Sequence, residues 1–176
     1  MLASLFSESH MNLIEQKSWI GIDEKLFLTR ILESFFHKRL GAIQKSKFFG
    51  NHYELIEKNI VISIRSGSYG DNFNELYIRF GTFSNDEKKG KQIIIARISF
   101  KETQQKKGNG VSLLLKLCEI AEKFDYRIIR FEAPNKNCRA FCKRLGFSDS
   151  CSISRTDLIF NLNDYLFKKS AEKYLF

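Results

Sequence analysis

KQIIIARISFKETQQKKGNGVSLLLKLCEIAEKFDYRIIRFEA, residues 91–133, contains a change of period that decides the fold. KQIIIARISF (91–100) is rich in β-branched and aromatic residues and reads as a strand. VSLLLKLCEIAEKF (111–124) places Leu114, Leu117, Cys118 and Ala121 on one helical face. YRIIRFEA (126–133) returns to strand character. Between the first strand and the helix lies QKKGNGVS, Gln105 to Ser112. Its glycines at 108 and 110 allow a tight turn with several N–H groups facing one cavity. The following helix adds unpaired N–H groups and the positive end of its dipole. Such a loop suits a pyrophosphate, with Lys106 and Lys107 adding charge at its rim. It is neither a P-loop, since no Gly-Lys-Ser/Thr follows, nor a dinucleotide fingerprint, since Leu113 replaces the third glycine.

Working outward, residues 23–40 read as an amphipathic helix with Leu28, Ile31, Leu32, Phe35 and Phe36 inward, Asp23 as cap and Gly41 as stop. NIVISIR (59–65) and ELYIRFGTF (75–83) are strands joined to 91–100 by short polar turns, which favours an antiparallel meander. NCRAFCKRL (137–145) reads as a helix stopped by Gly146, DLIFNL (157–162) as a last strand, and DYLFKKSAEKYLF as a closing helix. The expected fold class is α/β (α+β): an antiparallel meander, then strand-helix-strand-helix with a central parallel pair, helices on both faces.

The chain has 176 residues and a 43% apolar composition, which suits one packed domain. The expected organisation is a mainly helical region 1–58, a core 59–162 and a C-terminal helix 163–176. The opening MLASLFSESHMNLIEQ has no basic leader, and its apolar run is too short for a signal peptide or a membrane span. A cytoplasmic protein with reduced thiols is therefore expected. Cys118, Cys138, Cys142 and Cys151 lack histidines at ligand spacing, so no metal site is read. Of the net charge of +9, residues 101–150 carry an excess of five, so the basicity concentrates around the loop.

QKKGNG resembles the Q/R-x-x-G-x-G/A acetyl-CoA signature of the GNAT superfamily of N-acetyltransferases, after a fourth strand and opening a helix. EAPNKNCRAFCKRLGF (132–147) resembles a second element of that family, N-x-x-A-x-x-F-Y-x-x-x-G-F, with Asn135, Phe141, Gly146 and Phe147 in register. The resemblance covers about residues 59–162. It implies transfer of an acetyl group from acetyl-CoA (coenzyme A) to an amine acceptor by direct attack, with no covalent enzyme intermediate. Backbone around Ile98 to Phe100 would pair with the pantetheine arm and offer an N–H to the oxyanion. Gln105, Lys106, Lys107, Gly108, Asn109, Gly110, Val111 and Ser112 would hold the pyrophosphate, and Asn135 the pantetheine. Arg139, Lys143 and Arg144 could reach the adenosine phosphates.

Three departures stand beside this. Cys142 takes the position where the family often has a tyrosine general acid; a thiol can donate a proton, or can simply fill space beside Phe141. No base is evident: Glu75 is a candidate, Glu102 another. Residues 1–58 do not match the family's first strand and paired helices, so the acceptor stays open: a small molecule, a protein amino group or an aminoacyl-tRNA. Two other function classes compete, a catalytically reduced CoA-binding or interaction module and a nucleic-acid binder. Helix 23–40 and the aromatics Phe48 and Phe49 would allow a homodimer.

Overall fold

The computed structural model describes residues 19–41, 47–49, 56–66, 73–83 and 90–172. Strand β1 (Ile20–Gly21) leads into helix α1 (Ile22–Leu40), followed by β2 (Lys47–Phe49), β3 (Ile56–Glu57), β4 (Asn59–Ser66), β5 (Asn74–Gly81) and β6 (Gln92–Ser99). A 3-10 turn (Glu102–Gln104) precedes α2 (Asn109–Lys123), then β7 (Ile128–Phe131), α3 (Lys136–Arg144), β8 (Ser152–Ser154) and α4 (Arg155–Glu172). Among the described residues these strands form a six-stranded sheet ordered β2-β4-β5-β6-β7-β8 and a two-stranded β1-β3 ribbon. β4, β5 and β6 make the expected antiparallel meander, and β6 pairs with β7 in parallel. The crossover between them is α2, as a parallel pair requires.

Alternation explains the core. Ile60, Ile62 and Ile64 of β4, Leu76, Ile78 and Phe80 of β5, Ile93 and Ile95 of β6, and Ile129 and Phe131 of β7 share one buried face. Leu28, Leu32 and Phe36 of α1 and Leu113, Leu114, Leu117 and Ile120 of α2 belong to the same cluster. Burial of each such side chain contributes roughly 1.5–3 kcal/mol. Helices are expected on both faces; α1 and α2 pack together on this one. β6 departs from alternation because Gln92 through Ile95 are all buried, as in a central strand with a parallel neighbour.

Two readings of the sequence need correction. Residues 157–162 are not a strand but the first turns of α4. Leu158 and Leu162 are buried four residues apart while Phe160 is 73% exposed, a helical and not an alternating pattern. Ser154 caps that helix: its Oγ accepts from the Asp157 backbone N–H (3.1 Å) and donates to the Asp157 carboxylate (2.7 Å). The last strand is the shorter β8, antiparallel to β7. Asp23 is not the cap of α1; the helix starts one residue earlier, after Gly21, with no side-chain cap, and Asp23 sits in the first turn facing the dipole. Gly41 does follow the end, at φ 93°. The first 18 residues, the side chains of Phe48 and Phe49, and residues 173–176 of the stretch read as a closing helix lie outside the described residues.

Candidate acyl-donor site

The site is built where β6 and β7 part. Their parallel register runs from Gln92↔Ile128 to Ile95↔Phe131, and the Glu132 N–H adds one last bond to the Ile95 carbonyl at 3.0 Å. β7 then stops while β6 runs on to Ser99, so the backbone from Ile98 to Phe100 has no β7 neighbour. The parting has a local cause. Ile78 pairs with Ile95 and Tyr77 with Arg97, which leaves Ala96 as the extra residue of a bulge. Bulges bend the strand that carries them and are frequent beside active sites. Ile98 and Phe100 lie partly buried at the edge of the opening.

The loop returns to this opening. The Gln105 side-chain amide donates to the Phe100 carbonyl at 2.9 Å, tying the loop to the strand end. Lys106 and Gly108 both adopt positive φ, 57° and 78°. At Gly108 this is the left-handed cap of α2, which favours glycine. A Cβ there would meet nothing within 4 Å, so the space before the helix is open. Asn109, the first helical residue, is buried and donates its side-chain amide backward to the Gln104 carbonyl at 2.8 Å. The first helical backbone bond runs from the Ser112 N–H to the Gly108 carbonyl. No side chain caps α2 and no acidic residue sits in its first turn. The N–H groups of Asn109, Gly110 and Val111 therefore face outward as donors without an intrahelical acceptor.

Gly110 has a different reason to be glycine. It lies within the helix, where a Cβ would come within 3.1 Å of the Phe141 ring. Phe141 in turn packs edge-on against Phe131, centroids 6.5 Å apart. This contact brings the second family-like element against the first: α3 abuts the start of α2. Asn135 caps α3, its side-chain oxygen accepting from the Cys138 N–H at 2.9 Å. Its amide nitrogen is left on the exposed side. Arg139, Lys143 and Arg144 are all exposed on the same helix.

The three candidates for proton transfer differ in their settings. Cys142 is 1% exposed, with the free thiols of Cys138 and Cys151 as neighbours. The contact with Cys138, burial and Cys151 together push its pKa far up, so the thiol stays protonated. Glu75 pairs in register with Ser99, next to the opening. Its carboxylate is buried and accepts two bonds from Arg65 (2.9 and 2.7 Å) and a longer one from Arg97 (3.5 Å). Glu102 opens the 3-10 turn and is exposed.

One residue absent from the sequence reading of the site stands beside it. Arg39, in the last turn of α1, donates to the Ser112 Oγ across 73 residues of chain. An open cleft of 460 Å³ runs from there between α1 and α2, lined by Ile31, Phe35, Lys38, Arg39, Leu115 and Lys116 among others. Nothing local in FFHKRL signals this contact; only the packing of α1 on the sheet creates it. All four cysteines are unpaired as disulfides, and no helix among the described residues is long and apolar enough to cross a membrane.

No curated protein matches the chain. Among solved structures, a chain of "The crystal structure of KacTA-DNA complex" is similar at 16% identity, over 77% of this chain and 86% of that one, with a TM-score of 0.43. The sequence profile described as "Acetyltransferase (GNAT) family" matches residues 32–147, which include the second half of α1, the meander, the glycine loop and α3. The chain belongs to the GNAT acetyltransferase family.

Proposed function

We propose that the protein is an acetyl-CoA-dependent N-acyltransferase that passes an acetyl group directly to an amine. The observation that carries this reading is the start of α2: an uncapped helix end, opened by Gly108, beside two parallel strands that part. Those features fit the acyl donor. The outward N–H groups of Asn109, Gly110 and Val111 match a pyrophosphate, with Gln105, Lys106, Lys107 and Ser112 around them. The unpaired stretch Ile98 to Phe100 offers backbone groups to the amide-bearing pantetheine arm, and Asn135 an amide donor from the opposite side. Acetyl-CoA supplies the activated thioester; the acceptor amine attacks it and the thiol of coenzyme A leaves.

The chain contributes position and water exclusion more than a nucleophile. Glu75 is the acidic side chain in register with the strand end, and Arg65 and Arg97 fix its orientation. The pH–rate profiles of Glu75→Gln and Cys142→Ala decide whether either group carries a proton. A second reading, a CoA-binding module with reduced turnover, is favoured by the burial of Cys142 where the family often places a tyrosine. The compartment that goes with either is one that supplies acetyl-CoA and keeps thiols reduced, as the cytoplasm does.

Calorimetry with acetyl-CoA tests the cradle, comparing the native chain with Gly108→Trp and Gly110→Trp. Native binding that disappears in both variants is the expected result. A native chain that binds neither acetyl-CoA nor coenzyme A sinks the reading. Bound acetyl-CoA that is never turned over with any class of amine supports the module instead.

A further inference from the structure

We infer that Arg39, at the end of α1, is a phosphate-binding residue of the acyl-donor site, supplying from outside the glycine loop a charge that main-chain N–H groups lack. The inference rests on the donor reading above. It starts from an arginine whose bonding is incomplete. Of five guanidinium N–H donors, the described contact uses one, and its acceptor is the neutral Ser112 hydroxyl. No carboxylate pairs with Arg39 among the described residues; Glu119, the acid lining the same cleft, is bonded to Lys116 at 2.7 Å.

Location makes this arginine unusual. Side chains of a helix lean toward its N-terminus, so the Ser112 hydroxyl lies at the level of the first turn of α2. The guanidinium bonded to it is therefore placed beside the positive end of that helix. Lys106 and Lys107 are in the adjoining loop, and the first turn has no acidic residue. Cations gathered at a positive helix end raise each other's energy unless an anion joins them. A phosphate group at the loop would receive N–H bonds from the backbone and a charge-assisted bond from Arg39, which suits the planar guanidinium fork.

The position of Arg39 is fixed by the fold. Phe36 and Leu40, flanking it on α1, are buried in the core. The Ser66 hydroxyl donates to the Leu40 carbonyl at 3.5 Å, holding the helix end over β4. Arg39 itself is exposed, so changing it leaves that packing in place.

The test is acetyl-CoA affinity of the native chain, Arg39→Ala, Arg39→Lys and Arg30→Ala, by calorimetry at low and high salt, with unfolding midpoints checked in parallel. Arg30 is another exposed arginine on α1 and controls for net charge. Arg39→Ala is expected to weaken binding about tenfold or more, the size of one charge-assisted bond. Arg39→Lys should recover part of this, Arg30→Ala should bind as the native chain does, and added salt should narrow the gap between native and Arg39→Ala. Native-like affinity in Arg39→Ala overturns the assignment, as does an equal loss in Arg30→Ala. Absence of binding by the native chain strikes the donor reading itself, so the two failures are told apart.

Discussion

Strand β6 begins in a sealed place and ends in an open one. At its start, the Lys91 ammonium holds both oxygens of Glu24 at 2.8 Å, and the Tyr126 hydroxyl donates to the same carboxylate at 2.6 Å. Lys91 also lies 4.6 Å from the centre of the Tyr126 ring, and all three residues are buried. Here α1, the residue before β6 and the segment entering β7 meet through one buried polar cluster. At its end, eight residues on, β6 has lost β7, and the adjoining helix presents N–H donors to open space. The closed end spends its polar groups on registering α1 against the sheet; the open end leaves them free, and the proposed function assigns them to the acyl donor. Substitutions at the first should therefore alter stability with little change in binding, and at the second the reverse.

The largest effect that separates the two belongs to Lys91→Met. It leaves the Glu24 carboxylate buried without its cation, which costs about 3–5 kcal/mol. Urea unfolding reads this as a lower midpoint, while acetyl-CoA affinity of the folded fraction stays native. A stability loss confined to a few tenths of a kcal/mol would mean that water reaches the pair and the end is not sealed.

Tyr126→Phe comes next. Loss of a hydrogen bond to a carboxylate costs about 1.5–3 kcal/mol at neutral pH. The pH dependence is more specific. Burial and then the Glu24 charge raise the Tyr126 pKa well above its ordinary 10.0. The folded state therefore keeps the phenolic proton after the unfolded state has lost it. That contribution is complete below pH about 10 and is lost as pH rises beyond it. Native chain and Tyr126→Phe should converge in stability as pH climbs above 10; parallel curves would place the hydroxyl in contact with water.

At the open end the informative pair is Gly108→Asp and Gly108→Asn. Both put a side chain of similar size on a residue with φ 78°, a conformation that asparagine and aspartate tolerate better than most residues. Only aspartate adds a negative charge in front of the helix. Acetyl-CoA affinity should fall about tenfold or more in Gly108→Asp relative to Gly108→Asn, a difference of ~1.4 kcal/mol, with similar unfolding midpoints. Equal affinities would place the anion elsewhere.

How far the sequence leads follows the same division. Local period exposed the meander strands, α2 and α3, and the glycine loop exposed the open end, because turn chemistry and helix starts are written in adjacent residues. The strand assigned to 157–162 failed for want of length: six residues of DLIFNL fit either period, and the Ser154–Asp157 capping pair just before was the signal that resolves them. Features made by distant residues left no local mark. The Glu24–Lys91–Tyr126 cluster joins positions 67 and 102 residues apart, and Arg39 meets Ser112 across 73. The bulge at Ala96 is equally silent, since register is a property of two strands and not of one.

The smallest effect sharpens a second contrast, between the starts of two helices that meet through Phe141 and Gly110. α2 leaves its N-terminal donors open, whereas α3 satisfies one with Asn135. Asn135→Ala should cost about 1 kcal/mol, the usual worth of a cap. That loss alone does not say whether Asn135 also serves the donor. Asn135→Asp does, because a carboxylate keeps the acceptor that caps the Cys138 N–H and favours a helix N-terminus, yet removes the amide donor. If the amide meets the pantetheine arm, Asn135→Asp stays as stable as the native chain and binds acetyl-CoA more weakly. If both stability and affinity hold, the family-like asparagine acts in this chain as a cap only, and the arm draws its polar contacts from the unpaired end of β6.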